Sequence, residues 1–306
     1  MNQELAPICL FVYNRYKHTL KTIEALKENK LAEQSDIYIF SDAAKNNEAI
    51  EPVQKIRNYI KQIDGFKSVT IIESSNNKGL ANSIISGVTD VINKHGKVIV
   101  FEDDLISSPL TLEYLNLMLN TYQNFESIMS ITSYSYPSST VKIGSEYGFD
   151  NYFSGRPCSW GWATWKDRWT RVQWDGKVYE DYLYSKRMQE DFKLYAGRDI
   201  DRMLKKQLKG EIDSWAVRFV FNCFLLKKLA SYPVKSYISN IGTDGSGTHK
   251  GVNESYIINR LLNEKLPTRL SYEFEVNDKI LKEFNKFVKK KYYFKRLMRL
   301  LKSKFQ

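Results

Sequence analysis

The sequence predicts an α/β fold, a mixed, mostly parallel sheet flanked by helices. Short apolar runs of strand length alternate with segments of helical periodicity through residues 7–105. The connecting segments are long enough for helices, as right-handed crossovers between parallel strands require. Polar and charged turns follow the runs, and in an open sheet such turns share one rim, where ligands gather.

Pro7–Tyr13 (PICLFVY) reads as the first buried strand, followed by Asn14-Arg15 and a helix over Thr19–Lys27 with Leu20, Ile23 and Leu26 along one side. Asp36–Phe40 is a second strand ending in Ser41-Asp42. Pro52 opens a helix carrying Val53, Ile56, Ile60 and Ile63, and a proline in the first turn costs no hydrogen bond. Val69–Glu73 is a third strand. After the Asn76-Asn77-Lys78-Gly79 turn, Leu80, Ile84, Val88 and Val91 mark the next helix. It leads to Lys97–Leu105, KVIVFEDDL, where four strand-favouring residues run into three carboxylates.

Three acids at the end of a buried strand lose hydration and repel one another. A divalent cation offsets that, and hard oxygen ligands suit magnesium or manganese, which take further ligands from water and phosphates. An acidic turn is the plain alternative. Neither a glycine-rich dinucleotide fingerprint nor a GxxxxGK[ST] loop is present, which excludes a dehydrogenase and an ordinary P-loop enzyme.

Beyond Asn120 the regularity breaks. Ser133–Ser145 reads as loop or short strands, and five of the six tryptophans lie between Trp160 and Trp174, around SWGWATWKDRW. Residues 180–208 read as polar helix. Asp213-Ser214 precedes an apolar helix expected from Trp215 to about Leu229, cut off by Pro233. Asn240–His249, NIGTDGSGTH, reads as a glycine-rich loop without regular structure.

The chain has 306 residues and a net charge of +11, but residues 286–306 hold nine Lys or Arg and no acid. The remainder carries only +2, so the expected nucleotide rim is not a basic stripe and a nucleic-acid module is disfavoured. Cys9, Cys158 and Cys223 lack metal-ligand spacing, which suits a reduced compartment. The N-terminal residues lack a signal-peptide pattern and no run is long enough to span a membrane, so a cytoplasmic protein is expected.

Six markers in order, FVYNR, NKGLA, FEDDL, SWGWATW, Asp213-Ser214-Trp215 and NIGTDGSGTH, make residues 5 to 255 resemble nucleotide-sugar glycosyltransferases of the GT-A (Rossmann-like) fold. The likeness is to bacterial enzymes of surface-polysaccharide assembly, with a more distant one to the N-acetylglucosaminyltransferases that branch N-glycans. The resemblance implies a catalytic domain over residues 1–255, with a nucleotide-binding half to about 120 and an acceptor half over 121–255. A helical basic extension over 256–306 completes the chain.

Residue by residue, the resemblance implies that Asp104 binds Mn2+ or Mg2+ directly, while Glu102 and Asp103 serve the ribose and metal-bound waters. These two could instead be caps of the turn. Asp42 looks like the reader of the base edge, or an N-cap for the segment directly after it. Arg15 faces the nucleotide, or is a surface charge. Lys78-Gly79 offers a cation and a flexible backbone near the diphosphate, or is a solvated turn. His249, in a loop with Gly242, Gly245 and Gly247, is the expected second metal ligand.

Asp213 is the candidate catalytic base for an inverting transfer, or merely caps the helix beyond it. Trp160, Gly161, Trp162 and Trp215 are expected on the acceptor side, although some of Trp160, Trp162 and Trp165 are expected in the core and one or two on the acceptor side. The basic, apolar-striped tail over 286–306 suits an anionic membrane surface. The expected activity is thus a metal-dependent hexosyl or N-acetylhexosaminyl transfer from a nucleoside diphosphate sugar, UDP-linked, to a surface glycan or lipid-linked oligosaccharide. The expected place is the inner face of the plasma membrane. A sugar nucleotidyltransferase, or a nucleic-acid- or glycan-binding module without catalysis, are the alternatives. The first lacks its N-terminal glycine-rich loop in PICLFVYNRYKH.

Overall fold

A computed structural model describes residues 4–244 and 262–287. Its centre is an eight-stranded mixed sheet. Strands β1 (Ile8–Val12), β2 (Asp36–Ser41), β3 (Ser68–Glu73) and β4 (Lys97–Glu102) alternate with helices α1 (Tyr16–Lys27), α2 (Ile50–Ile60) and α3 (Gly79–His95). These four strands are parallel, in the order β3-β2-β1-β4. The order reverses between β1 and β4. Such a switch point opens a crevice at the carboxyl ends of the strands, because neighbouring crossovers leave to opposite faces.

A three-residue strand β5 (Leu105–Ser107), helix α4 (Thr111–Tyr122) and strands β6 (Ile128–Thr132), β7 (Asn151–Ser154) and β8 (Trp162–Trp165) come next in the chain. The sheet continues from β4 through antiparallel β8 to β6, then to β9 (Leu229–Pro233) and β7 at the far edge. Helices α5 (Lys166–Trp169), α6 (Lys177–Tyr184), α7 (Lys186–Ala196), α8 (Arg198–Leu208) and α9 (Trp215–Leu225) lie between β8 and β9. Strand β10 (Ile238–Asn240) pairs antiparallel with β5, with Asn240 opposite Leu105.

Period-two alternation sorts the sheet side chains to two faces. Ile8, Leu10, Ile99 and Phe101 meet α1, α2 and α4, whereas Cys9, Phe11, Val98 and Val100 meet α3 and α9. The four-residue run Val98–Phe101 is fully buried, as a strand covered on both faces must be. Helices α6, α7 and α8 pack on α9 as a separate apolar cluster.

Two expected elements differ. The apolar helix expected from Trp215 to about Leu229 ends at Leu225, Lys227 turns the chain with a φ of 53°, and Leu229 opens β9, whose last residue is Pro233. Apolar periodicity does not separate a buried helix from an adjoining buried strand. The polar helix expected over 180–208 is three helices, broken at Ser185, which caps α7 through its hydroxyl, and at Gly197, whose φ of 97° favours glycine. Cys9, Cys158 and Cys223 are all free thiols. Of the expected extension, residues 262–277 run along the body without helix and 278–287 are helical, while the tail from 288 lies outside the described residues.

Candidate active site

Arg15 leaves the end of β1 and the Glu102-Asp103-Asp104 turn leaves the end of β4, so the switch point brings them together. The Arg15 guanidinium bridges two carboxylates. Its Nη2 donates to Asp103 Oδ1 and, at 2.8 Å, to Asp104 Oδ2, and its Nε donates to Asp103 Oδ2 at 3.4 Å. Burial pulls the Arg15 pKa down, but the charges of Asp103 and Asp104 outweigh it and hold the guanidinium firmly protonated. Burial raises the Asp103 carboxyl and Arg15 opposes that. Glu102, crowded by protein, is pushed up to about 8 by lost hydration and then by the charges of Asp104 and Asp103. Glu102 is thereby largely neutral at pH 7, and the surplus of negative charge in the crevice comes from two aspartates facing one arginine.

The turn is held from below. Thr22 on α1 donates its hydroxyl to Asp103 O at 2.9 Å and accepts from Leu105 N at 3.1 Å. It is held from the side by the residues after β10. Asn240 Nδ2 lies 3.4 Å from Asp104 Oδ1, Ile241 N donates to Asp104 O at 2.9 Å, and Gly242 N donates to Asn240 Oδ1 at 2.8 Å. Gly242 packs so closely that a Cβ there would overlap Asp104 Oδ2 and crowd Arg15. Asp244 reaches His18 on α1, with Oδ2 3.1 Å from Nε2.

Asp42 has a different neighbourhood. Its Oδ1 accepts from Ala43 N and Lys78 N at 2.9 Å, and its Oδ2 from Gly79 N at 2.9 Å and Asn77 Nδ2 at 3.2 Å. It therefore caps the start of α3, a helix that begins 37 residues later, as well as holding the amide directly after it. The Lys78 and Gly79 amides, which a phosphate would otherwise meet at a helix start, are taken by this carboxylate. The Lys78 side chain itself is exposed. Arg57 on α2 ties the same region by donating to Ser74 O at 2.7 Å and to Ser41 O and Asp42 O at 3.4 Å.

On the other side of β4, Trp162 of β8 stands opposite Val100. It stacks on Trp215 with ring centroids 5.0 Å apart and packs on Trp169 at 5.7 Å. Ring faces free for a sugar were expected at Trp162 and Trp215, but these are 1% and 4% exposed, because the two rings cover each other in the core. The Trp162 Nε1 is buried without a hydrogen-bond partner among the described residues, a costly state that the fold alone does not explain. Trp165 is also buried. Trp160 keeps exposed surface beside Tyr134, whose ring is 4.7 Å away. Gly161 has a φ of 56° and would drive a Cβ into Ser133 Oγ.

Asp213 is open to solvent, its side chain 55% exposed and paired at 3.0 Å with Arg218 Nη2. Ser214, not Asp213, caps α9, accepting from Val217 N at 3.4 Å. The Trp215–Trp162 stack sets this end of α9 on the face of the sheet that also carries α3, beside Val100 of β4. His249 lies outside the described residues.

Among the described residues no group of three or more His, Cys, Asp or Glu side chains converges on a metal position. The Asp104 carboxylate still suits a magnesium-like ion that takes most ligands from water and phosphate, with Asp104 as its protein ligand. Sequence reasoning missed Thr22, Arg57 and Asn240. Thr22 had a signal, as a polar residue on the same helix side as Ile23 and Leu26, and Asn240 had one as the first residue of NIGTDGSGTH; Arg57 had none.

No family model matches the chain, and no curated protein matches it. In fold it is similar to three solved GT-A glycosyltransferases. S. aureus TarS 1-349 is 10% identical, with 76% of this chain and 59% of that one covered at a TM-score of 0.43. Mannosyltransferase PcManGT from Pyrobaculum calidifontis, in complex with GDP-Man and Mn2+, is 9% identical over 74% and 72% at 0.42. Glucosyl-3-phosphoglycerate synthase from Mycobacterium tuberculosis is 11% identical over 55% and 58% at 0.34. The chain thus spans under two thirds of the length of TarS 1-349, and likenesses this loose identify neither a family nor an activity for it.

Proposed function

We propose that this chain is a metal-dependent, inverting glycosyltransferase of GT-A type. It moves a hexose or N-acetylhexosamine from a UDP-linked donor to a hydroxyl of a surface glycan or lipid-linked oligosaccharide. The observation that carries the reading is the position of Arg15 and the Glu102-Asp103-Asp104 turn, at the switch point of a parallel sheet with surplus negative charge. That is where an open sheet receives a nucleotide, and the surplus is of the sign a cation relieves.

Asp104 holds the cation, and Glu102 and Asp103 serve the nucleoside beside it. A bound cation there neutralises the leaving diphosphate. Asp213 takes the proton of the acceptor hydroxyl as its oxygen attacks the anomeric carbon. Its exposure leaves it open to an incoming acceptor, and Arg218 orients it. Trp160, which keeps exposed surface, and Gly161 border the acceptor. The basic tail keeps the enzyme on the anionic inner face of the plasma membrane.

A panel of nucleotide sugars incubated with the protein and Mn2+, with nucleoside diphosphate release as the readout, tests this. UDP-sugars should be hydrolysed slowly, and Asp104→Ala should lose about a hundredfold or more, the scale of removing one electrostatic stabiliser. Asp213→Asn should keep UDP affinity and lose acceptor transfer by about a hundredfold to ten-thousandfold. Unchanged turnover in Asp104→Ala sinks the metal role, and normal transfer by Asp213→Asn moves the base elsewhere.

A further inference from the structure

Arg15 occupies an unfavourable place for a cation. It is the residue at the N-terminus of α1, where the helix dipole favours negative charge. The pair of carboxylates it bridges, Asp103 and Asp104, holds it there, all three side chains being largely withdrawn from solvent. Asp104 Oδ2 takes the guanidinium at 2.8 Å, and Gly242 closes over the same oxygen. Among the described residues, Asp104 Oδ1 accepts from the Asn240 amide alone, at 3.4 Å. A cation held by Asp104 must therefore approach a carboxylate whose better-shielded oxygen is already paired with a positive charge.

We infer that Arg15 is an internal competitor of the cation: it holds Asp104 while no donor is bound and yields when cation and nucleoside diphosphate arrive together. The inference rests on Asp104 being the cation's ligand. Two positive charges cannot share one carboxylate oxygen at hydrogen-bond distance without repulsion, so the ion alone binds against the guanidinium. A diphosphate changes the balance. It offers Arg15 a second anion, two of whose oxygens the planar guanidinium fork can take through parallel hydrogen bonds. Cation and nucleotide then favour each other's binding, and by linkage the effect is equal in both directions.

Mn2+ binding, read from the loss of the free-ion electron paramagnetic resonance signal, tests this with no need for turnover. The wild-type protein, Arg15→Gln, Arg15→Lys and Asp104→Asn are titrated with Mn2+ in the presence and absence of UDP. Arg15→Gln should bind Mn2+ alone about tenfold more tightly than wild type, and UDP should strengthen Mn2+ binding in wild type far more than in Arg15→Gln. Arg15→Lys, which keeps the charge but loses the fork, should fall between them. Melting temperatures give a second readout. Without metal Arg15→Gln should melt lower than wild type, and Mn2+ should raise it by more, since a ligand that binds the folded state stabilises it.

If Arg15→Gln binds Mn2+ alone no more tightly than wild type while Asp104→Asn has lost binding, the competition is refuted and the metal site stands. If no protein binds Mn2+ with or without UDP, the metal site and the competition fall together. Should Arg15→Gln not fold, Mn2+ affinity of Arg15→Lys equal to wild type refutes the competition by itself.

Discussion

Asp42 and Asp104 stand at the carboxyl ends of β2 and β4, on either side of β1, and each is 9% exposed. Their partners differ in kind. Asp42 receives three backbone amides and one side-chain amide, all fixed by the fold. Asp104 receives a mobile class of partner, a guanidinium and a long contact from Asn240. Backbone amides at a helix start cannot leave without unwinding the helix. A side chain can leave by rotating. Burial alone therefore does not separate a carboxylate locked by the backbone from one able to exchange partners, whereas the nature of its donors does.

The difference is measurable as stability. Asp42→Ala strands the amides of Ala43, Lys78 and Gly79 at the start of α3, and should cost about 2–4 kcal/mol, a lost cap plus unsatisfied buried donors. Asp104→Ala, measured without metal, leaves Arg15 paired to Asp103 and should stay within about 1 kcal/mol of wild type. Denaturant midpoints with unchanged slopes would show both. Equal losses would erase the distinction, and a larger loss for Asp104→Ala would reverse it. Arg57→Ala comes next, at about 1–3 kcal/mol, because its guanidinium joins the ends of β2 and β3 through the carbonyls of Ser41, Asp42 and Ser74. Arg57→Lys should recover little, since an ammonium lacks the fork that reaches Ser41 O, Asp42 O and Ser74 O together. Full recovery would mean that charge near Glu73, 3.5 Å away, is the deciding factor.

The same contrast explains how far the sequence discloses the fold. The alternation of strands and helices from Ile8 to Glu102 was legible, because β1 and β4 hold continuous apolar runs, β2 and β3 short β-branched and aromatic ones, and each helix repeats at its own period. So was the placement of Arg15 and the Glu102-Asp103-Asp104 turn on one rim, a consequence of parallel order; that they touch follows from β1 and β4 being neighbours, which the sequence did not disclose. The end of α9 was not legible, because Phe224, Leu225 and Leu229 are as apolar as a helix would require. Nor was the cap of α3 by Asp42. That bond joins residues 36 and 37 apart, and nothing local marks it. Ser214 outranked Asp213 as the cap of α9 for a reason of backbone conformation, its extended φ and ψ, that neighbouring residue types do not reveal.

A third carboxylate extends the comparison to the far edge of the sheet. Asp150 precedes β7 and accepts, through Oδ2, from Thr268 N and Arg269 N at 2.8 Å and from Thr268 Oγ1 at 3.3 Å, so it fastens residues 262–277 to the body. It belongs with Asp42, having backbone amides as partners. Burial raises its pKa, but those hydrogen bonds outweigh burial and hold it below the usual aspartate value of 3.8. A carboxyl depressed in the folded state contributes stability that is present above its unfolded pKa and is lost as pH falls through the folded one. Asp150→Asn should therefore be less stable than wild type at pH 7, by about 1 kcal/mol, with the gap closing below pH 3.8 as the wild-type carboxyl protonates. Hydrogen exchange at the Thr268 and Arg269 amides should quicken in the variant at neutral pH, while the Lys78 and Gly79 amides, held by Asp42, keep their protection. A gap that persists unchanged into acid would show that the contacts at Asp150 depend on shape and not on its charge.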